Sequence, residues 1–193
     1  MCVSRCLRCV GVSLVSTAII CSLANILLLF PGLSSRFLLD RHVTSEATWA
    51  TGVWGSGLLV CNSTPLLAGV RGICFCIQML CQVLYSCVSL LGAFICGVVS
   101  ANGLANGPLC LYNSTHGQTW GVPLKPSPGE CYLYNRTLWS TVCLEPQNVV
   151  QWNMVLFSVM GSVSGLQVLL CVANVLNSLL GMILGHGSGQ TKV

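Results

Sequence analysis

The sequence predicts an all-α membrane protein, a bundle of four transmembrane helices with one short and one long outer loop. Three observations carry this. Only eight Lys or Arg and four Asp or Glu occur among 193 residues, 6% of the chain, while 54% is apolar. An ordinary soluble domain carries roughly a quarter charged residues. Four stretches without a single charge are each long enough to cross a bilayer. One long segment between the last two stretches collects the turn-forming residues and two glycosylation patterns.

The same composition excludes other classes. Disorder needs high charge and few apolar residues, the reverse of what is present. A net charge of +4 is spread over scattered residues and forms no basic patch, so no nucleic-acid partner is expected.

A helix crossing the hydrocarbon needs about 20 apolar residues at 1.5 Å each. Segments 9–30, 47–70, 77–101 and 154–174 meet that length. The first has Arg5 and Arg8 in front and Ser22-Leu23-Ala24 within it, the pattern of a cleavable signal peptide. Its apolar run continues through Phe30, so a retained helix is expected, closed by Pro31-Gly32. Trp49, Trp54 and Trp152 flank predicted spans and read as interfacial anchors. The second span carries Asn62-Ser63-Thr64-Pro65, a glycosylation pattern shielded by the bilayer. Residues 71–76 form a very short inner loop, 102–148 the long outer loop, and 185–193 a tail after a single domain spanning 1–184. Leu179, Leu180 and Ile183 suggest a short interfacial helix before that tail.

Orientation follows from the long loop. Asn113-Ser114-Thr115 and Asn135-Arg136-Thr137 are acceptor patterns, and with three cysteines they place the loop outside and both termini in the cytoplasm. Cys110, Cys131 and Cys143 allow one pair at most. Cys110–Cys143 would staple the loop ends, and a pair using Cys131 is the alternative. Cys2, Cys6, Cys9, Cys74 and Cys76 lie at the inner membrane edge and are candidates for acylation. Cys6-Leu7-Arg8-Cys9 also has redox or zinc spacing, but a second paired motif is missing and acylation is favoured. Cys21, Cys61, Cys81, Cys87, Cys96 and Cys171 read as small buried hydrophobes.

Each span carries a stripe of small or weakly polar residues: Ser13, Thr17, Cys21 and Asn25; Gly52 and Ser56; Ser89, Ala93, Gly97 and Ala101; Gly161 and Gly165. Such stripes let helices approach closely and hydrogen-bond. Gln167, Asn174 and Asn177 share a face of the last span and read as interhelical hydrogen-bonding groups. A substrate path through them, with Asn25, Asn62, Gln78 and Gln82, is the rival small transporter or pore. No ionisable residue other than cysteine and tyrosine falls in a span, which argues against a pump, a proton-coupled carrier or a voltage sensor. His42, His116 and His186 are isolated in sequence, no catalytic or metal-binding motif appears, and neither an enzyme nor a cofactor is expected.

The chain resembles the four-transmembrane L-six family, the tetraspanin-like tumour-associated L-six antigen family. The likeness rests on Cys6-Leu7-Arg8-Cys9-Val10-Gly11 and Ala24-Asn25-Ile26-Leu27-Leu28. It continues through Gly52-Val53-Trp54-Gly55-Ser56-Gly57-Leu58 and Gly107-Pro108-Leu109-Cys110. Further pieces are Leu138-Trp139, Cys143-Leu144-Glu145-Pro146, Trp152-Asn153, Leu156-Phe157-Ser158 and Val175-Leu176-Asn177. The resemblance implies four helices, cytoplasmic termini, a glycosylated large loop and a Cys110–Cys143 pair. It also implies a membrane scaffold at the plasma membrane or on endosomal and lysosomal membranes. Such scaffolds associate with integrins, receptors or other tetraspan proteins, including copies of themselves, and influence adhesion, migration or growth. Two departures stand out. The inner loop is shorter than the family's, and Cys131 is extra. Thr191-Lys192-Val193 at the end fits a ligand for a PDZ protein.

Overall fold

The computed structural model describes residues 2–34, 36–40, 42–60, 75–114, 117–124, 133 and 137–187. Its long helices are α1 (Cys2–Leu29), α5 (Phe75–Asn106) and α7 (Val149–Gly187). Each contains a stretch apolar and long enough to cross a membrane. The second crossing enters as a short α4 (Thr51–Val53), continued by a π-helical turn, Trp54–Leu59. Its expected remainder, 61–70 with Asn62 to Pro65, lies outside the described residues, as does most of the inner loop.

All three long helices are longer than their predicted spans, α1 by its start alone, since it ends at Leu29 where the expected span reaches 30. Charge-free length marks the hydrocarbon-compatible stretch, whereas helical hydrogen bonding runs past it until a breaker intervenes. For α1 that breaker is Pro31, opening a 3-10 turn in which Gly32 has φ 64°, a left-handed value that favours glycine. α5 ends before Gly107 (φ 80°). α7 continues unbroken to Gly187, so the expected separate interfacial helix is instead part of the same rod.

Alternation of direction brings Leu29, Thr51, Asn106 and Val149 to one end of the bundle. α5 and α7 form the most extensive contact, α7 also packs on α1, and the second crossing touches both α1 and α5. The main core joins Cys21, Ala24 and Leu28 of α1 to Cys96 of α5 and Phe157 and Met160 of α7. Val43 and Ala47, from the first outer loop, complete it. A second cluster nearer the inner end gathers Leu14, Ala18, Val60 and Cys171.

The outward faces carry Ile19, Leu23, Leu84, Leu91, Phe94, Val155, Leu169 and Leu176, all exposed. In a soluble protein so much exposed aliphatic surface is a liability; in a bilayer it is the face that lipid tails solvate.

The π turn buries Gly55, Ser56 and Gly57. Such turns are rare and concentrate at functional positions. Here the turn presses Gly55 against Gly92 of α5. A Cβ on Gly55 would stand 2.9 Å from the Gly92 carbonyl oxygen, and one on Gly92 would be still closer to the Gly55 carbonyl. Backbone opposes backbone, so neither side can yield by rotating a side chain. Gly92→Val is therefore expected to destabilise the bundle by about 1–3 kcal/mol, the usual cost of overpacking. Thermal unfolding in lipid nanodiscs would measure it, and an unchanged midpoint would refute the close approach.

The outer segments are not all helical or irregular. Cys110–Ser114 (β1) and Gly117–Gly121 (β2) form an antiparallel hairpin in which Tyr112 pairs with Thr119 and Asn113 with Gln118. Short helices α2 (Arg36–Leu39) and α3 (Ser45–Thr48) occupy the first outer loop, and α6 (Leu138–Thr141) the second. Ala50, at φ 51°, turns the chain from α3 into α4.

Candidate functional site

Two constructions stand out, a polar spine inside the bundle and a cap clamped to its outer end. The spine arises because each crossing turns several of its polar residues inward, among them Thr17, Ser56, Ser89 and Gln167. On α5 the buried stripe is Ser86, Ser89, Ala93, Cys96, Ser100 and Gly103. The expected stripe at strict four-residue spacing fails beyond its first half, since Gly97 is only half-buried and Ala101 is exposed. Four residues advance 400°, so such a stripe drifts about 40° per step around a 3.6-residue helix and leaves the interface. Ser13 on α1 is likewise exposed, whereas Thr17, Cys21 and Asn25 are buried. On α7 the small pair divides: a Cβ on Gly161 would meet Ser100 at 3.4 Å, while Gly165 faces outward with nothing near it.

Gln167, fully buried, is the centre of the spine. Its amide donates to Thr17 Oγ1 at 3.1 Å and to the Ser56 carbonyl at 3.4 Å. Its carbonyl oxygen accepts from the Ser56 hydroxyl. Thr17 in turn donates to the backbone carbonyls of Ser13 and Leu14. One side chain thus ties three crossings together. Toward the inner end, Asn174 donates to Ser86 Oγ at 2.7 Å. Ser89 donates to the Leu59 carbonyl at 3.3 Å. Toward the outer end, the Cys21 thiol lies 3.8 Å from Ser164 Oγ and 3.9 Å from the Met160 carbonyl.

These bonds bear on the pore reading. Both lie on α7 and spend their amides on neighbouring crossings, Gln167 on Thr17 and Ser56 and Asn174 on Ser86. Asn177 lies on the exposed side of α7 instead. Asn25 and Thr51 are the exception: both are fully buried, and neither the Asn25 amide nor the Thr51 hydroxyl has a hydrogen-bond partner among the described residues.

The cap is built from both outer loops. Cys110 is joined to Cys143 by a disulfide, and β1 extends its ladder through Leu111, which exchanges backbone bonds with Leu144 and Glu145 at 2.8 and 2.9 Å. Beneath them Leu124, Val149 and Val150 form a small apolar core with Trp139 and Val142 packed against it. Trp120 of β2 stacks on His42 of the first loop, ring centres 3.9 Å apart and 8° from parallel, with Phe37 against it at 6.4 Å. Two further ties lie at this end, one from the cap to a helix and one between helices. Asn106 donates to Glu46 at 2.9 Å, and Trp152 donates its indole N–H to the Leu27 carbonyl at 3.1 Å.

Trp152 therefore pins α7 to α1 and is half-buried, whereas Trp49 and Trp54 are exposed near the start of α4, Trp54 donating to the Trp49 carbonyl. The stacked His42 is one of the three histidines that sequence spacing left isolated. No local signal joins it to Trp120, because the contact is made by two loops meeting over the bundle end.

Burial alone would raise the Glu46 carboxyl. Hydrogen bonds from Asn106 and Ser45 outweigh it and hold the group below the ordinary 4.5. A depressed carboxyl stabilises the fold above its unfolded value, and the contribution fades as pH falls through the folded one. Acidification below about 4.5 is expected to loosen the first loop in the natural chain, and Glu46→Gln to flatten that dependence. Protease sensitivity of the first loop as a function of pH tests this.

The remaining expected sites are placed as follows. Asn113 is exposed on β1. Cys2, Cys6 and Cys9 lie on the first turns of α1 and Cys76 near the start of α5, their side chains outside the description, as are those of Gln78 and Gln82. Cys74, Cys131, Asn135, Thr191 and Val193 lie outside the described residues.

Apolar rods held by an internal polar spine, with a disulfide-closed cap over one end, define a helical-bundle membrane protein. Comparison with known proteins gives the family. The model of the L6 membrane protein family matches residues 1–188. The human Transmembrane 4 L6 family member 19 is 39% identical over 189 residues, covering 92% of this chain and 90% of the relative. The human members 1 and 5 are 35% and 36% identical, each covering 96% of this chain and 95% of the relative. The chain belongs to the L6 membrane protein family. No solved structure matches it.

Proposed function

We propose that this chain is a non-enzymatic, tetraspanin-like membrane scaffold. It associates laterally with integrins, receptors or other tetraspan proteins, and with copies of itself, and so influences adhesion, migration or growth. The observation that carries the reading is the division of surfaces: the amides of Gln167 and Asn174 are bonded between helices, aliphatic faces are turned outward, and a clamped cap stands over one end. Such a body offers broad contact within the plane of a membrane and an ordered ectodomain to a neighbour.

In this reading both termini are cytoplasmic and the cap faces outward at the plasma membrane or in the lumen of endosomes or lysosomes. Asn113 and Asn135 carry glycans. Cys2, Cys6, Cys9, Cys74 and Cys76 take acyl chains beside Arg5 and Arg8, which suit anionic headgroups. Thr191 and Val193 present a PDZ ligand.

Proximity labelling of the full chain at native levels tests the proposal. A reproducible set of membrane neighbours, reduced when Trp120→Ala and His42→Ala unclamp the cap, is the expected result. Recovery of only bulk membrane proteins, unchanged by the variants, would discard it. Removal of N-linked glycan from wild-type, Asn113→Gln and Asn135→Gln chains reads orientation in the same cells.

A further inference from the structure

Asn25 of α1 and Thr51 of α4 are fully buried, yet both polar atoms of the Asn25 side chain and the Thr51 hydroxyl have no hydrogen-bond partner among the described residues. The two helices pack on each other. A Cβ on Gly52, the residue after Thr51, would stand 2.7 Å from Cβ of Asn25, 2.7 Å from the Cys21 carbonyl oxygen and 2.8 Å from Sδ of Met160. Because Gly52 has no side chain, the Asn25 side chain lies against the α4 backbone, one residue from Thr51. The main core at this level, with Leu28, Ala47, Phe157 and Met160, is apolar. An unpaired amide is costly to bury in such surroundings. Folded proteins meet that cost with a direct partner or with an ordered water, which makes about three hydrogen bonds to groups otherwise left unpaired.

We propose that Asn25 and Thr51 form an internal hydration site, holding ordered water between α1 and the second crossing. Water suits the pair because it both donates and accepts. The amide offers N–H donors and a carbonyl acceptor, and the hydroxyl offers one of each kind. Groups buried this completely admit nothing larger without parting the helices. Met160, unbranched and freely rotating, is the neighbour that can give water room. The site works differently from the Gln167 centre, where amide, hydroxyls and carbonyl satisfy one another directly. Near the start of the second crossing the direct polar tie to α1 is weak, since Ser22 Oγ reaches the Gly52 carbonyl only at 3.5 Å. Held water supplies the stronger tie there, just ahead of the π turn.

The test exposes the full chain in lipid nanodiscs to brief synchrotron X-ray pulses, which split water into hydroxyl radicals that oxidise the side chains beside it. Met160, fully buried, is the reporter, and half-buried Met154 is the control. Mass spectrometry reads the sulfoxide at each. The expected result is rapid oxidation of Met160 in the wild type, slowed several-fold by Asn25→Leu combined with Thr51→Val, with Met154 unchanged. Each single variant should also lower the thermal unfolding midpoint, because it removes a group that water satisfies. At a dry site the same near-isosteric changes would raise the midpoint, by removing buried groups that have no partner. Where a variant fails to fold, the wild-type labelling decides alone. An unlabelled Met160 beside a labelled Met154 would overturn the proposal. So would equal labelling of Met160 in wild type and variant, or a raised midpoint.

Discussion

Replacing Cys110 and Cys143 together by serine is expected to lower stability by about 3–4 kcal/mol. The bond closes a sequence separation of 33 residues, and the chain-entropy model assigns roughly that value to a loop of this length. The loss should concentrate in the cap. Without the bond, only the Leu111 exchanges with Leu144 and Glu145 and the small core under Leu124 hold the ends of the second loop together. Thermal unfolding in nanodiscs and the rate of proteolytic nicking within the second loop would both show it. A midpoint within a degree of wild type, with nicking unchanged, would mean that the packing alone suffices.

Gln167→Ala should be comparably severe, at about 2–4 kcal/mol. It removes bonds to Thr17 and Ser56 at once and leaves a void where a fully buried side chain stood. Interhelical hydrogen bonds in membranes contribute only about 0.6 kcal/mol on average, up to about 1.7. The cavity from a large-to-small change is the larger component, at about 2 kcal/mol or more. Gln167→Met separates the two, because it keeps most of the volume and loses only the bonds, so about 1–2 kcal/mol is expected. Equal losses in both variants would show that the hydrogen bonds dominate.

The two variants probe the parts of the molecule that differed most in how readable they were. The crossings were legible because a charge in oil is costly, so twelve charges suffice to bracket helices. Helix ends were less so. Residues 102–106 and 149–153 lack the length of apolar run that marks a span, yet backbone bonding carries α5 and α7 through them. The inward placement of Thr17, Cys21, Asn25 and Gln167 was foreshadowed by their spacing. Ser164 and the Ser86–Asn174 bond were not, because they depend on how two helices rotate against each other. The β1–β2 hairpin escaped an all-α expectation altogether. Its strands carry Asn113, Ser114, Gly117 and Gln118, weak strand formers that pair only because the disulfide and the Trp120–His42 stack hold them in place.

Only Gly107 to Leu109 separate the end of α5 from β1, whose first residue, Cys110, is bonded to Cys143 just ahead of α7. The hairpin is thus geared to both rods of the dominant helix pair through very short leads. A torque that turns α5 against α7, as when a neighbour squeezes one side of the bundle, has little slack in which to dissipate. It bears on β1, and on Asn113 with it, like a pointer on a dial: an event along the rods would be displayed at the end of the bundle that carries the cap.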